Sequence, residues 1–233
     1  MWIMNHAPPR ILVFSRTAGY RHDSIEPAVD AFHALGAEHG FTVVATEEPQ
    51  DLVRNLEVCR AVVFLSTSGE ALTPESRQAL RSYVASGGGF VGVHGASTTE
   101  YDWPYYGELV GARFDGHPEP QPGVAVVEDH DHPATSHLGD RWPRVDEWYD
   151  FRDSPRGRVR VLASADESTY QGGGMGGDHP LVWCHESCGG RSFYTALGHF
   201  AESYADPEFR RHLLGGTAWA ARLPFDLDRG RIG

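Results

Sequence analysis

The chain has 233 residues, a mass of 25.7 kDa and a formal net charge of −12, from 32 acidic and 20 basic residues. A surplus of that sign repels phosphate backbones and anionic lipid surfaces, which sets nucleic-acid and membrane partners aside. Every basic residue is an arginine, so Schiff-base chemistry, pyridoxal phosphate attachment and a P-loop lysine are excluded.

A chain of this length can bury a full core as one domain over residues 1–233, with the core at about 10–223. No stretch of about 18 apolar residues is present to cross a bilayer. Met1 to Pro9 has no basic region followed by an apolar core, so no secretory leader is expected. The odd set Cys59, Cys184 and Cys188 argues against a disulfide framework and for a reducing, cytoplasmic compartment. Cys184 and Cys188, with His185 between them, lack the further thiolates or well-spaced His partner that a structural zinc site wants, so none is expected there.

Arg10 to Ser15 reads as a first strand. Asp23 is a candidate helix cap, with Glu26 completing a capping box, and Ile25, Ala28, Val29, Phe32 and Leu35 then repeat at helical spacing up to Gly40. Phe41 to Thr46 is a second strand and Leu52 to Leu56 a short helix. Ala61 to Ser66 is a third, continuously apolar strand. Thr73-Pro74 opens a helix to about Ser86, and Phe90 to Val93 is the fourth strand. Strands that are apolar throughout and alternate with helices predict a parallel sheet covered on both faces, of the doubly wound α/β class. In such sheets ligands sit beyond the carboxyl ends of the strands.

From about 101 to 177 aromatic, Pro, Gly and His residues dominate, which predicts a long irregular insertion acting as a lid or wall. Gly123 to Val127 and Arg158 to Ala163 are its strands. Leu181 to Cys184 and Ser192 to Leu197 flank Gly189-Gly190 as a hairpin. Asp206-Pro207 caps a last helix to about Arg222, and the remaining residues are expected to fray.

The most informative stretch is Gly89-Phe90-Val91-Gly92-Val93-His94-Gly95-Ala96-Ser97. A buried strand runs into a sharp turn, and Gly92 and Gly95 are expected to supply backbone angles that a Cβ forbids. This is the layout of a nucleophile elbow with His94 where Ser or Cys would stand. Thirteen histidines fall mostly in loops, among them His22, His94, His117, His130, His132, His137, His179 and His199. His22, His94 and His199 each follow a predicted strand and would meet at one sheet edge. In Asp146-Glu147-Trp148-Tyr149-Asp150 an extended backbone puts Glu147 and Tyr149 on one face, suited to base and acid roles. Asp178-His179 follows a glycine loop, Gln171 to Gly177, and is expected to act as a mobile flap. Trp103, Tyr105, Tyr106, Trp142, Trp148 and Trp183 are candidate sugar-stacking or core aromatics.

These motifs resemble the ThuA-like (trehalose utilisation) family of the class I glutamine amidotransferase-like superfamily. The resemblance rests on Gly19-Tyr20-Arg21-His22-Asp23-Ser24, the elbow, Asp146-Glu147-Trp148-Tyr149, Asp178-His179-Pro180-Leu181-Val182-Trp183 and Gly190 to His199, and spans Arg10 to Leu223. It implies a flavodoxin-like sheet with the site at the elbow. The amidotransferase Cys corresponds to His94, and the later His to His199 with Glu202 three residues beyond, so glutamine hydrolysis is not expected. The family association is with trehalose and related disaccharides, alongside sugar dehydrogenases that make 3-keto sugars.

The resulting expectation is an enzyme acting on keto-disaccharides or related glycosides. His94, His199 and Glu147 are the acid–base group, and His22, Asp23, Tyr149, Asp178, His179 and Trp183 position substrate. The alternatives are a metal-dependent hydrolase or isomerase holding a divalent transition metal, and a non-catalytic sugar-binding or complex-forming protein. A small-molecule carbohydrate, a sugar dehydrogenase and a second copy of the chain are the expected partners.

Overall fold

The computed structural model describes residues 7–232. Most of the Met1–Pro9 segment, and with it the expectation about a leader, lies outside them. In chain order the elements are β1 (Arg10–Phe14), α1 (Ile25–His39), β2 (Thr42–Thr46), α2 (Pro49–Leu56), β3 (Ala61–Leu65), α3 (Pro74–Ala85) and β4 (Gly89–Val93). A 3-10 turn (His94–Thr98) leads to α4 (Pro104–Val110), β5 (Phe114–Gly116), β6 (Gln121–Val127), β7 (Arg141–Asp146) and β8 (Asp150–Phe151). Then come β9 (Arg160–Ala165), β10 (Pro180–His185), β11 (Ser192–Thr195), α5 (Pro207–Ala220), β12 (Phe225–Asp226) and β13 (Arg231–Ile232).

One nine-stranded sheet runs in the order β2-β1-β3-β4-β11-β10-β9-β6-β7. Its first five strands are parallel and the rest alternate in direction. The fold is the expected flavodoxin-like α/β class. β1, β3 and β4 are buried on both faces, which is why they read as unbroken apolar runs. The crossover from β1 to β2 moves one way along the sheet and those from β2 to β3 to β4 move the other. Right-handed crossovers therefore put α1 on one face, packed beside α5, and α2 beside α3 on the opposite face.

The segment expected to be irregular extends the same sheet through β6, β7 and β9. β7 carries no apolar run in the sequence because it is an edge strand with exposed Arg141 and Pro143, which alternates. The chain's last residues do not fray as expected: β12 pairs β13.

Helix ends follow local chemistry. Thr73 and Ser76 form a reciprocal capping box at α3, with Pro74 in the first turn. The capping box expected from Asp23 and Glu26 is absent; Ser24 is the cap residue of α1 and makes no side-chain cap bond. α1 closes on Gly40 at φ +77°, whose N–H donates to Gly36 O.

The alternation in direction decides where chemistry can gather. The carboxyl ends of β1, β3, β4, β11, β9 and β7 and the amino ends of β6 and β10 all reach one edge of the sheet. That edge includes the point between β1 and β3 where the order reverses, the expected place for a ligand.

Candidate functional site

His94 stands at the carboxyl end of β4 with φ +48°, in the left-handed region that non-glycine residues avoid. The strain falls on His94 itself. Gly92 and Gly95 do not have positive φ, contrary to expectation, and are needed for room: a Cβ on Gly92 would lie 2.9 Å from Tyr194 Cδ2 and one on Gly95 would lie 3.2 Å from Thr67 O. Packing holds the elbow in place. Tyr194 donates its O–H to His94 O at 2.9 Å, and Tyr106, packed edge-on or tilted against Phe90 and Phe64, donates to Ala96 O at 3.0 Å.

The His94 ring is fully buried. Its Nδ1 lies 2.7 Å from Ala196 O, an acceptor, so Nδ1 carries the proton and Nε2 offers a lone pair. That Nε2 faces three groups: Tyr149 O–H at 2.9 Å, His22 Nε2 at 3.1 Å and Glu147 Oε2 at 3.2 Å. His199 brings its Nδ1 to 3.1 Å from the same Glu147 oxygen, and His117 Nε2 lies 3.4 Å from Glu147 Oε1. The loops after β1, β4, β7 and β11 and the turn before β6 thus deliver six side chains to one point.

Glu147 and Tyr149 share a face as their spacing predicts, because Trp148 between them points into the core. Trp148 lies against Gly123, where a Cβ would come within 2.4 Å of it, and donates Nε1–H to Gln121 O at 3.0 Å. Asp146 is a further positioning residue. It is fully buried and accepts the N–H groups of Glu147 (3.0 Å), Gly198 (2.9 Å) and His199 (3.0 Å), tying the β7 and β11 loops together.

Burial and the neighbouring His94 and His199 lower the His22 pKa to about 3, so it is a neutral imidazole. Burial alone would raise the Glu147 carboxyl, but contact with His199 and His94 and their electrostatic influence outweigh it and hold it well below the usual carboxylate range. His199 is its counterpart. Burial pulls it down, the contact with and charge of Glu147 outweigh that, and its pKa ends above the ordinary 6.5. Burial, with Tyr194 and Glu147 beside it, pushes the Tyr149 phenol well above its usual value, so it stays protonated.

The remaining sequence candidates fall elsewhere. Trp183 is fully buried core, donating Nε1–H to Val110 O at 2.7 Å and packing on Phe151 and Tyr194, and presents no face to a substrate. Asp178 is exposed and paired with Arg156 Nε at 2.5 Å. Asp23 is exposed beside His22 and reaches the centre only through its charge on His199.

His179 is not on a mobile flap. Its ring is buried, with Nδ1 at 2.8 Å from Glu167 Oε1 and Nε2 at 2.8 Å from Tyr149 O. Glu167 also accepts Met175 N–H and Gly176 N–H at 2.9 Å each, which pins the glycine loop. His179 thus braces the backbone of Tyr149. Two residues at the mouth were not assigned to the site from sequence. His117 was only one loop histidine among many. Tyr20 is 68% exposed with its ring 4.7 Å from His22, and exposure leaves no mark in a sequence.

A centre with a fixed carboxylate, four imidazoles and a protonated phenol can move protons and stabilise a developing oxyanion. None of Cys59, Cys184 and Cys188 belongs to it.

The family described as trehalose utilisation (ThuA) matches residues 10–220. The chain is similar to a ThuA-like protein from Bacteroides uniformis, with 25% identity and a TM-score of 0.78 over 94% of this chain and 95% of that one. A ThuA-like protein from Parabacteroides merdae matches with 22% identity and a TM-score of 0.76, over 97% and 91%. A cytoplasmic protein from Salmonella typhimurium shares the fold at 17% identity and a TM-score of 0.61, over 95% and 99%. No curated protein matches the sequence closely enough to count as a relative. With most of its length matched, and with the elbow and its loops in place, the chain belongs to the ThuA family.

Proposed function

We propose that this protein is an enzyme of carbohydrate utilisation that acts on keto-disaccharides or related glycosides by proton transfer next to the carbonyl. The observation that carries the reading is the convergence of His94, His199, Glu147 and Tyr149 on one point at the ligand-binding edge of the sheet. A carbon beside a carbonyl is acidic enough for an imidazole base, provided the resulting enolate oxygen is stabilised. His199, whose proton affinity the neighbouring Glu147 carboxylate raises, is suited to take that proton, and the Tyr149 O–H is suited to face the oxygen. Tyr20, at the mouth beside His22, has the exposed ring face that a sugar stacks on. A sugar dehydrogenase would supply the keto substrate. The cytoplasm is the compartment this reading favours, in line with three free cysteines and the Salmonella neighbour.

The test is incubation with a panel of disaccharides oxidised to the keto form, with products followed by chromatography. Turnover that drops at least about 100-fold in Glu147→Gln supports the reading. Sugar binding by calorimetry without turnover of any member would overturn it in favour of a binding protein.

A further inference from the structure

We infer that the three imidazoles of His22, His94 and His199 and the carboxylate of Glu147 hold a divalent first-row transition-metal ion of the zinc type. The inference rests on the reading above, that this cleft is the reacting centre, and names its cofactor.

The first argument is a count of protons. His94 Nε2 has one lone pair, because its Nδ1 proton is committed to Ala196 O. One lone pair accepts one hydrogen, yet Tyr149, His22 and Glu147 all crowd it within 3.2 Å, and a carboxylate has no hydrogen to give. His199 Nδ1 is buried and 3.1 Å from Glu147 Oε2 but out of line for a hydrogen bond with it. At most one of the contacts on His94 Nε2 is a hydrogen bond and His199 Nδ1 has no partner, so the donor atoms converge with more lone pairs than hydrogens to fill them, the arrangement left when lone pairs aim at a common centre.

The second argument is distance. Bonds of ~2.1 Å to zinc-like ions place neighbouring ligand atoms ~3.0 Å apart in an octahedron and ~3.4 Å apart in a tetrahedron. The measured separations are 3.1 Å (His22 Nε2 to His94 Nε2), 3.2 Å (His94 Nε2 to Glu147 Oε2) and 3.1 Å (Glu147 Oε2 to His199 Nδ1). All four ligand atoms lie within 4.8 Å of one another.

The third argument is the surrounding shell. A metal-bound imidazole donates its other N–H to a carbonyl or carboxylate, as His94 does to Ala196 O. Asp146, accepting the backbone N–H groups of Glu147 and His199, fixes two ligands at once. Three imidazoles and one carboxylate suit zinc and its neighbours better than calcium or magnesium, which prefer oxygen. The ion would polarise a carbonyl or hydroxyl oxygen of the sugar. It would also occupy His94 Nε2 and so release the Tyr149 O–H to the substrate. Proton transfer would then fall to His117, the imidazole left outside the set.

A second cluster, Asp150, Glu167 and His179, is the natural control, since its donors are already engaged by Gly174, Met175, Gly176 and Tyr149. The experiment is elemental analysis of untagged protein, then calorimetric titration of the chelator-stripped protein with Zn2+, repeated with Co2+ by visible absorption. The expected result is one ion per chain. In His22→Ala/His199→Ala the affinity should fall at least about 100-fold, the most that changes outside the ligand set cause, and in His179→Asn, which touches the set only through Tyr149, it should fall less than about 10-fold. If the double variant does not fold by circular dichroism, the isosteric Glu147→Gln takes its place. No uptake by the folded stripped protein, undiminished uptake by the ligand variants, or loss in His179→Asn alone would each overturn the inference. The readout is stoichiometry, independent of turnover. An ion bound without keto-sugar turnover would fault the proposed function alone, and turnover by an ion-free protein would fault the metal alone.

Discussion

Asp146 makes no contact with a substrate, yet the centre depends on it. Its buried carboxylate accepts three backbone N–H groups, one from the next residue and two from a loop 52 and 53 residues further along the chain. Asn offers one acceptor oxygen and turns an NH2 toward a backbone donor. Asp146→Asn should therefore lower stability by about 3 kcal/mol, the scale of hydrogen bonds to a charged group, read from the urea midpoint. Tyr20 is the opposite case. Tyr20→Ala should leave stability within about 0.5 kcal/mol, because the ring is mostly exposed. The same change should weaken sugar binding roughly 3- to 10-fold by calorimetry, the worth of one stacking contact. Sequence reveals such residues unevenly. His22, His94 and His199 stood out because each follows a strand, and strand ends define the binding edge. Asp146 carries no such mark, and the glycine loop before His179 suggests a flap where the ring is a brace, because both residues hold groups that only the folded chain brings near. Trp183 misled because an indole in a motif looks the same whether it faces a sugar or a core.

The two helix starts respond differently to the same kind of change. Thr73 takes the Ser76 N–H onto its side chain, so Thr73→Ala should cost about 1 kcal/mol. Asp23 caps nothing, so Asp23→Ala should cost no more than about 0.5 kcal/mol by the same urea measurement. A cost of about 1 kcal/mol for Asp23→Ala would restore the expected capping box. Spacing of Asp and Glu marks a helix start to within a residue but does not say which residue turns its side chain inward. The parallel strands and their helices were legible because burial on both faces leaves only apolar residues. β7 was not, because an edge strand carries the charges and the proline that elsewhere mark loops.

Across the whole molecule, histidines couple stability to pH. Burial lowers His132 and His212 to about 3 each, and neither belongs to the proposed metal set. A base whose folded pKa lies below its unfolded 6.5 binds protons more weakly when folded. Its contribution is present above pH 6.5 and is lost as pH falls toward 3. His199, raised by Glu147, works the other way and offsets about one of them, whereas His22, His39, His137 and His185 are lowered and add to the loss. Between pH 7 and pH 5 the protein should lose on the order of 3 kcal/mol, at up to ~1.4 kcal/mol per pH unit per imidazole. A urea midpoint that holds or rises on acidification to pH 5 would contradict this. The histidines' number was plain in the sequence, but their division into a site and a core was not, since that depends on which loops the antiparallel half of the sheet returns to the same edge.

The most direct test of the proposed chemistry is deuterium uptake from D2O at the carbon beside the carbonyl of a keto-disaccharide, followed by proton NMR. Wild-type protein should exchange that hydrogen, and Glu147→Gln should slow the exchange at least about 100-fold while remaining folded. A wild-type protein that binds the sugar and leaves the hydrogen in place, or a variant that exchanges it undiminished, would contradict the assignment of this centre to proton transfer.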